Sequence, residues 1–205
     1  MQSNERILEG IMTTTSPGGE TNISPMGPIV DDSMQTLRLR PYRTSTTYAN
    51  LKRRGTGVFH VTDDVSLLAR AAIGRVDPAP ELLPCDAVDE KMLAGACRWY
   101  AVQVRTLDDS QERTDIVVDV VASGRLRDFF GINRAKHAVV EAAILATRVD
   151  FLPVEEILTD VERLQVLVDK TGAAEEHEAF DLLKAYVSAA AKKAVATDTV
   201  EGSHG

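Results

Sequence analysis

The N-terminal segments alternate in side-chain character instead of cycling with a helical period. Ile7–Thr15 is rich in β-branched residues and stops at Ser16-Pro17-Gly18-Gly19, which predicts a strand closed by a turn. Glu20–Val30 is extended too, but Pro25 and Pro28 remove two ladder donors, so an edge, a bulge or a loop is predicted there. Across Met34–Arg40, Leu37 and Leu39 face one way and Arg38 and Arg40 the other, a strand that ends at Pro41. The period then changes. Thr44-Ser45-Thr46-Thr47 precedes a run that carries Lys52, Arg53 and Arg54 and ends on Gly55. A hydroxyl cap, terminal cations and a glycine stop predict a short capped helix. Gly57–Val61 reads as a brief strand, and Thr62-Asp63-Asp64 caps a second helix with Val65, Leu68, Ala69 and Ala72 inward and Gly74 as its end. Residues 75–96 carry Pro78, Pro80 and Pro84 and are expected to form a long irregular connection. Cys97–Arg105 and Thr114–Val121 alternate on either side of the polar turn Asp108–Gln111, which predicts a hairpin. In it Tyr100, Val102 and Val104 lie opposite Trp99 and Ala101, so one set is expected to fill a barrel while the other meets a partner copy or, alternatively, is covered by helices of the C-terminal segment within one chain.

From Gly131 onward the period is helical. Ala135, Ala138, Val139, Ala142, Leu145 and Val149 mark one face. Pro153 opens a second helix with Ile157, Leu158, Val161, Leu164 and Val168 inward and Gly172 as its stop. Phe180, Leu183, Val187, Ala190 and Ala194 mark a third. The pattern therefore predicts an α+β chain. About six antiparallel strands form a split β-barrel over residues 1–130, a helical segment spans 131–195, and residues 196–205 form a disordered tail.

Composition narrows the class. A hydrophobic fraction of 44% and a charged fraction of 26% over 205 residues are those of an ordinary globular protein. No apolar run approaches the roughly 20 residues of a membrane span, and the N-terminus lacks the basic start and apolar stretch of a secretory signal. Cys85 and Cys97 make neither a disulfide framework nor a metal-spaced pair, so a reduced, cytoplasmic protein is expected, without a metal. The net charge of -8 argues against general nucleic-acid affinity. Its distribution is uneven. Ser33 to Thr62 contains no acidic residue but holds Arg38, Arg40, Arg43, Lys52, Arg53 and Arg54. Spread evenly, the acids would put about four or five in such a window. Either a local basic field awaits a small anionic ligand, or the gap is chance and the side chains are solvated.

Three segments carry candidate chemistry. Arg43 with Ser45, Thr46 and Thr47 sets a fixed charge and hydroxyls at a helix start, an arrangement that suits phosphate; alternatively the hydroxyls only cap the helix. Asn22-Ile23-Ser24-Pro25-Met26-Gly27-Pro28 fixes an extended chain that a planar heterocycle could approach closely, or is an irregular edge strand. Asn133-Arg134-Ala135-Lys136-His137 sets cations against the dipole of a helix start, which a phosphate or another anion would offset; the alternative is a solvated helix start. The chain has no Gly-x-Gly-x-x-Gly, Walker, His-Glu-x-x-His or Gly-x-Ser-x-Gly motif. His60 is expected in the core, and Cys97 as a small buried hydrophobe.

In order, Ile-Leu-Glu-Gly-Ile-Met-Thr-Thr, Asn-Ile-Ser-Pro-Met-Gly-Pro-Ile-Val, Arg-Pro-Tyr-Arg-Thr-Ser-Thr-Thr-Tyr-Ala-Asn-Leu, Gly-Val-Phe-His-Val-Thr-Asp-Asp and Asn-Arg-Ala-Lys-His-Ala-Val-Val-Glu-Ala-Ala-Ile-Leu-Ala-Thr-Arg resemble the "domain of unknown function 447" proteins. The likeness runs from about Arg6 to Ala194. That family is similar to flavin reductases and to pyridoxamine-phosphate-oxidase-like split barrels, which bind FMN at a homodimer interface. The resemblance implies that Ser24–Gly27 runs along the isoalloxazine and that Arg43, Ser45, Thr46 and Thr47 hold the phosphate. It further implies an FMN-dependent oxidoreductase that draws electrons transiently from NAD(P)H, with a non-catalytic flavin carrier as the alternative.

Overall fold

The alternating segments pair into one antiparallel sheet in a computed structural model that describes residues 5–201. Packing divides the chain into two units. One comprises the residues up to Asp64 with Pro78–Phe130; the other comprises Val65–Asp77 with the residues from Gly131 on. Eight strands of the first unit share the sheet: β1 (Arg6–Ile7), β2 (Gly10–Thr15), β3 (Thr21–Met26), β4 (Ile29–Val30), β5 (Thr36–Leu39), β6 (Thr56–Val61), β9 (Arg98–Asp108) and β10 (Asp115–Arg125). β7 (Leu82–Cys85) and β8 (Glu90–Leu93) form a separate hairpin. The order across the sheet is β1-β4-β5-β10-β9-β6-β2-β3. The strand count exceeds the expected six because two predicted segments split. Arg6 and Ile7 pair with Val30 and Ile29, and the chain then changes neighbours at Gly10. A Cβ on Gly10 would stand 2.3 Å from the His60 carbonyl oxygen and 2.7 Å from the Phe59 ring, so only glycine lets β2 approach β6 there. β3 pairs with β2 alone and forms an edge of the sheet, the place where Pro25 costs no ladder bond.

Register shifts between Val117 and Val118 and between Val120 and Ala122 bend the β9–β10 pair and curl the sheet. Its concave face buries Met12, Leu37, Leu39, Phe59, Tyr100, Val102, Ile116 and Val118. Helix α1 (Thr46–Arg54) packs Tyr48 and Leu51 into the same core. Leu51 is 1% exposed, and burial of such a side chain contributes roughly 1.5–3 kcal/mol. The α1 boundaries follow the capping chemistry read from the sequence. Ser45 is the N-cap, and Gly55, at φ 72°, takes the left-handed C-terminal position.

Residues 75–96 are not the unstructured connection expected. The β7–β8 hairpin lies within them, and its Cys85, Val88 and Met92 pack on Val58 and Ala101. Part of the sheet face expected to meet a partner copy is thus covered within the chain. The hairpin is fastened by polar contacts. His60 Nδ1 donates to the Ile11 carbonyl (3.1 Å), and its Nε2 accepts the Leu93 N–H (3.0 Å), the tautomer being fixed by these neighbours. Glu90, whose side chain is fully buried, accepts from Thr15 Oγ1 (2.5 Å), Thr56 Oγ1 (3.0 Å) and Arg54 Nε (3.0 Å). His60 is a core residue, as its apolar strand implied. Cys97 is buried as expected, with its thiol 3.6 Å from Asp63 Oδ1 and its pKa pushed up mainly by burial.

The second unit is helical: α2 (Val65–Ala72), α3 (Arg134–Ala146), α4 (Val154–Thr171) and α5 (Ala174–Glu201). Chain order put α2 among the residues of the expected 1–130 domain, yet it packs with α3 and α5 in this unit. The inward stripe of α3 is Ala135, Ala138, Val139, Ala142, Ala143 and Ala146, small side chains that let neighbouring helices come close. Leu145 is only half-buried, and Val149 lies beyond the helix end. Ile157, Val161 and Val168 of α4 and Phe180, Leu183 and Val187 of α5 complete the core. The third helix runs into the residues expected as a tail, 196–205. The Ala-rich run Ala189–Ala196 sustains helix propensity, and α5 continues to Glu201. The remainder of that tail, with His204, lies outside the described residues. No helix of the described residues is long and apolar enough to cross a membrane.

Candidate functional site

The start of α1 is built by the strand before it and the hairpin beside it. The Arg43 N–H donates to the Glu112 carbonyl (2.9 Å), and Tyr42 bridges Arg113, so the chain enters the helix along the β9–β10 turn. Ser45 Oγ donates to the Tyr42 carbonyl (2.8 Å) and accepts the Tyr48 N–H (3.2 Å); the Ser45 N–H also donates to Tyr42 (2.9 Å). Two first-turn donors stay open. The N–H groups of Thr46 and Thr47 meet no acceptor among the described residues. The Thr46 side chain and the Arg43 guanidinium are exposed beside them.

The predicted hydroxyls therefore divide by role. Ser45 is engaged as the cap. Thr47 is 2% exposed, and its hydroxyl accepts from Asn22 Nδ2 (3.1 Å), a contact that ties the side chain to β3. The same Asn22 amide reaches Thr14 Oγ1 (3.3 Å), which also accepts from Asn50 Nδ2 (3.0 Å). This cluster joins edge strand β3 to the open end of α1, and it makes one neighbourhood of two segments that the sequence offered separately. Thr14 and Asn50 were missed. An asparagine inside a helix is a poor helix former, and that was the only local signal for it.

Along β3, Asn22, Ile23, Ser24, Pro25, Met26 and the following Gly27 are all half-buried, on a strand paired on one side only. Ile11 faces Pro25, which has no N–H to give. By the alternation of an antiparallel ladder, Ile23 shares its phase and turns its backbone groups to the free edge. Gly27 has a packing reason of its own. A Cβ there would fall 2.9 Å from Ile7 Cγ2 and 3.0 Å from Glu9 Oε1, so close approach of protein, not of a ligand, accounts for the glycine.

Electrostatics favour an anion at the α1 end. Of the six cations in the acid-free window, Arg38 pairs with Asp115, Lys52 with Asp109, and Arg54 with Asp89 and Glu90, while Arg53 donates to the Thr15 carbonyl. Arg40 and Arg43 have no ion-pair partner among the described residues. Asp109 accepts from Lys52 (2.6 Å) and from the Tyr48 hydroxyl (2.6 Å), which with nearby Arg43 lower its pKa to about 2. It stays ionised at neutral pH, its charge offset by Lys52. The arrangement offers two backbone N–H groups, a helix dipole and a guanidinium, donors of the kind that suit an oxyanion. No set of His, Cys, Asp and Glu side chains among the described residues is grouped to hold a metal.

Asn133, Arg134 and Lys136 belong to the helical unit, where two of the three have structural partners. Asn133 Oδ1 caps α3 by accepting the Ala135 and Lys136 N–H groups (2.8 and 3.1 Å), and its Nδ2 donates to the Thr171 carbonyl (3.0 Å). Lys136 lies 3.4 Å from Glu176, which also caps α5 through the Ala173 N–H (2.9 Å). The anion that the Lys136 charge called for is this carboxylate. Arg134 is exposed.

Comparison with known proteins bears on the whole chain. Two models of a protein family of unknown function, DUF447, match it: the N-terminal domain at residues 8–127 and the C-terminal domain at residues 133–185. No curated protein matches significantly. Among solved structures, the FMN-bound DUF447 protein of Methanosarcina mazei superposes with a TM-score of 0.74 at 22% identity, over 88% of this chain and 94% of that one. A flavoredoxin of Methanosarcina acetivorans gives 0.50 at 9% identity, over 58% and 68%. At such identities the likeness is one of fold: a split barrel with a helical segment.

Proposed function

The chain belongs to the DUF447 family, and from that premise we propose that it binds FMN in its β unit and works as a flavin-dependent oxidoreductase. The observation that carries the reading is the open end of α1. The free N–H groups of Thr46 and Thr47 and the exposed Arg43 guanidinium supply the donors a phosphate monoester needs, and the Asn22–Thr47 bond joins them to edge strand β3. An FMN phosphate fits this donor set, and Ile23 to Met26 would border the ring system. The M. mazei relative of the same fold is FMN-bound.

Bound flavin supplies hydride and electron chemistry, so no acid–base pair need be built by the protein. The task of the chain is then to grip the phosphate, lay β3 along the ring edge and keep Asp109 neutralised by Lys52 so that it does not repel the ligand. The proposed donor is a nicotinamide, bound transiently, and the proposed setting is the cytoplasm, where the separate thiols of Cys85 and Cys97 stay reduced.

Arg43→Ala is expected to weaken FMN binding about ten- to a hundredfold, the worth of one charge-assisted contact of about 1.5–3 kcal/mol. Riboflavin, without the phosphate, is expected to be nearly indifferent. Fluorescence-quenching titrations of both flavins check this; equal losses for the two would remove Arg43 from the phosphate.

The proposed assembly is a homodimer with each flavin lined by both protomers. Although β7–β8 covers Val58 and Ala101, Val121, Phe129 and Phe130 remain 48%, 51% and 84% exposed in the β unit. A two-fold pair would bury such apolar area isologously. Sedimentation of dilute, flavin-loaded protein is expected to give a dimer; a stable monomer that keeps its flavin would defeat the shared site.

A further inference from the structure

Apart from the α1 end, the β unit holds a second concentration of positive charge where β5 meets the β9–β10 hairpin. A cavity of about 330 Å³ opens there, walled by Arg38, Arg40 and Arg113 together with Asp108, Ser110 and Asp115. Of its two acids, Asp115 is ion-paired, while Asp108 keeps its charge and accepts only from Ser110. Arg38 Nε donates to both oxygens of Asp115 (2.8 and 3.0 Å), with Nη2 adding a further contact. Asp108 accepts the Ser110 N–H (2.9 Å).

The other two guanidinium groups are differently placed. Arg113 Nε donates to the Arg40 carbonyl (3.2 Å), and its plane lies over the Tyr42 ring at 5.7 Å, so the group is steered from two sides. Its Nη donors have no acceptor among the described residues. The Arg40 side chain likewise has none, although it stands close enough to Asp115 to act on it electrostatically. The backbone beneath is tightly fastened, with the Thr114 N–H and hydroxyl both donating to the Pro41 carbonyl (3.0 and 2.7 Å). One oriented guanidinium, Arg113, and one without a partner, Arg40, thus line the same polar cavity in a protein whose net charge is -8. Like charges held side by side repel unless an anion lies between them, and planar forks match phosphate oxygens in bidentate fashion. The volume suits a small ligand and not a macromolecule.

We propose that this cavity is a binding site for a phosphate-bearing small molecule, held between Arg40 and Arg113, which adjoins the start of α1 through Tyr42 but shares no donor group with it. The proposal does not depend on flavin binding, because the two sites share no donor group.

Inorganic pyrophosphate is the probe, titrated calorimetrically into the full chain with and without saturating FMN. The wild type binds it in both conditions. With FMN saturating the α1 end, Arg40→Ala and Arg113→Ala each lose about tenfold or more in affinity and Arg113→Lys recovers part of the loss; without FMN the α1 end takes the probe as well, and Arg43→Ala removes only that component. Both alanine variants remove exposed side chains, and unchanged thermal melts exclude unfolding as the cause. Pyrophosphate affinity untouched in both variants overturns the proposal, as does loss on Arg43→Ala alone, which moves the anion to α1. Absence of wild-type binding at millimolar probe overturns it as well.

Discussion

Glu90→Ala is expected to destabilise the β unit by about 2–4 kcal/mol, the largest loss among the single substitutions considered. The carboxylate is fully buried at the join of β8 with β2, β6 and the end of α1, where it accepts from Thr15, Thr56 and Arg54. Removal leaves two hydroxyls without their acceptor and takes one of two carboxylates from Arg54, which keeps Asp89. The Arg54 side chain is 23% exposed and can turn partly toward water, which keeps the cost below that of a wholly buried pair. Glu90→Gln, which keeps the shape and one acceptor oxygen, is expected to lose less. Urea unfolding measures both. A loss within about 0.5 kcal/mol for Glu90→Ala would mean that the hairpin is held by its apolar contacts alone.

The second large effect is a pH dependence centred on His60. Burial lowers its pKa from 6.5 to about 4, against a smaller opposing pull from the Ile11 carbonyl. The sign follows from linkage. Between the two values the unfolded chain binds the proton and the folded chain does not, so stability is fully present above about pH 6.5 and falls as pH drops toward 4. The whole interval corresponds to roughly 3 kcal/mol. Protonation would also end the acceptance of the Leu93 N–H at Nε2, so the β7–β8 hairpin should loosen first. The protection factor of the Leu93 amide, its exchange divided into the intrinsic rate at each pH from 7 to 4.5, is expected to fall ahead of that at Val102. In His60→Gln, the stability difference between those pH values should shrink; an unchanged difference would assign the pH dependence to other groups.

These two residues also mark where the sequence stopped being informative. α1 was legible because its determinants are local: the Ser45 cap, the terminal cations and Gly55 lie within one short segment. β3 was legible as an edge because Pro25 forbids a central position. The β7–β8 hairpin was not, since Pro84 lies inside β7 and its fastenings come from remote His60, Thr13 and Thr15. For the same reason Lys136 seemed to call for a ligand phosphate. Its carboxylate, Glu176, begins another helix far along the chain, beyond any local pattern. The Arg43–Thr47 segment was legible as a helix start, but the share-out between the Ser45 cap and the buried Thr47 hydroxyl needed the Asn22 contact to be seen.

The central claim, flavin held by phosphate at the start of α1, meets its most direct test in one titration. Apoprotein is mixed with FMN and with riboflavin, and the visible absorbance and fluorescence of each flavin are followed to saturation. FMN is expected to saturate with perturbed flavin bands and to bind at least about tenfold more tightly than riboflavin, the value of a recognised phosphate. FMN that does not saturate, or the two flavins binding alike, would contradict it.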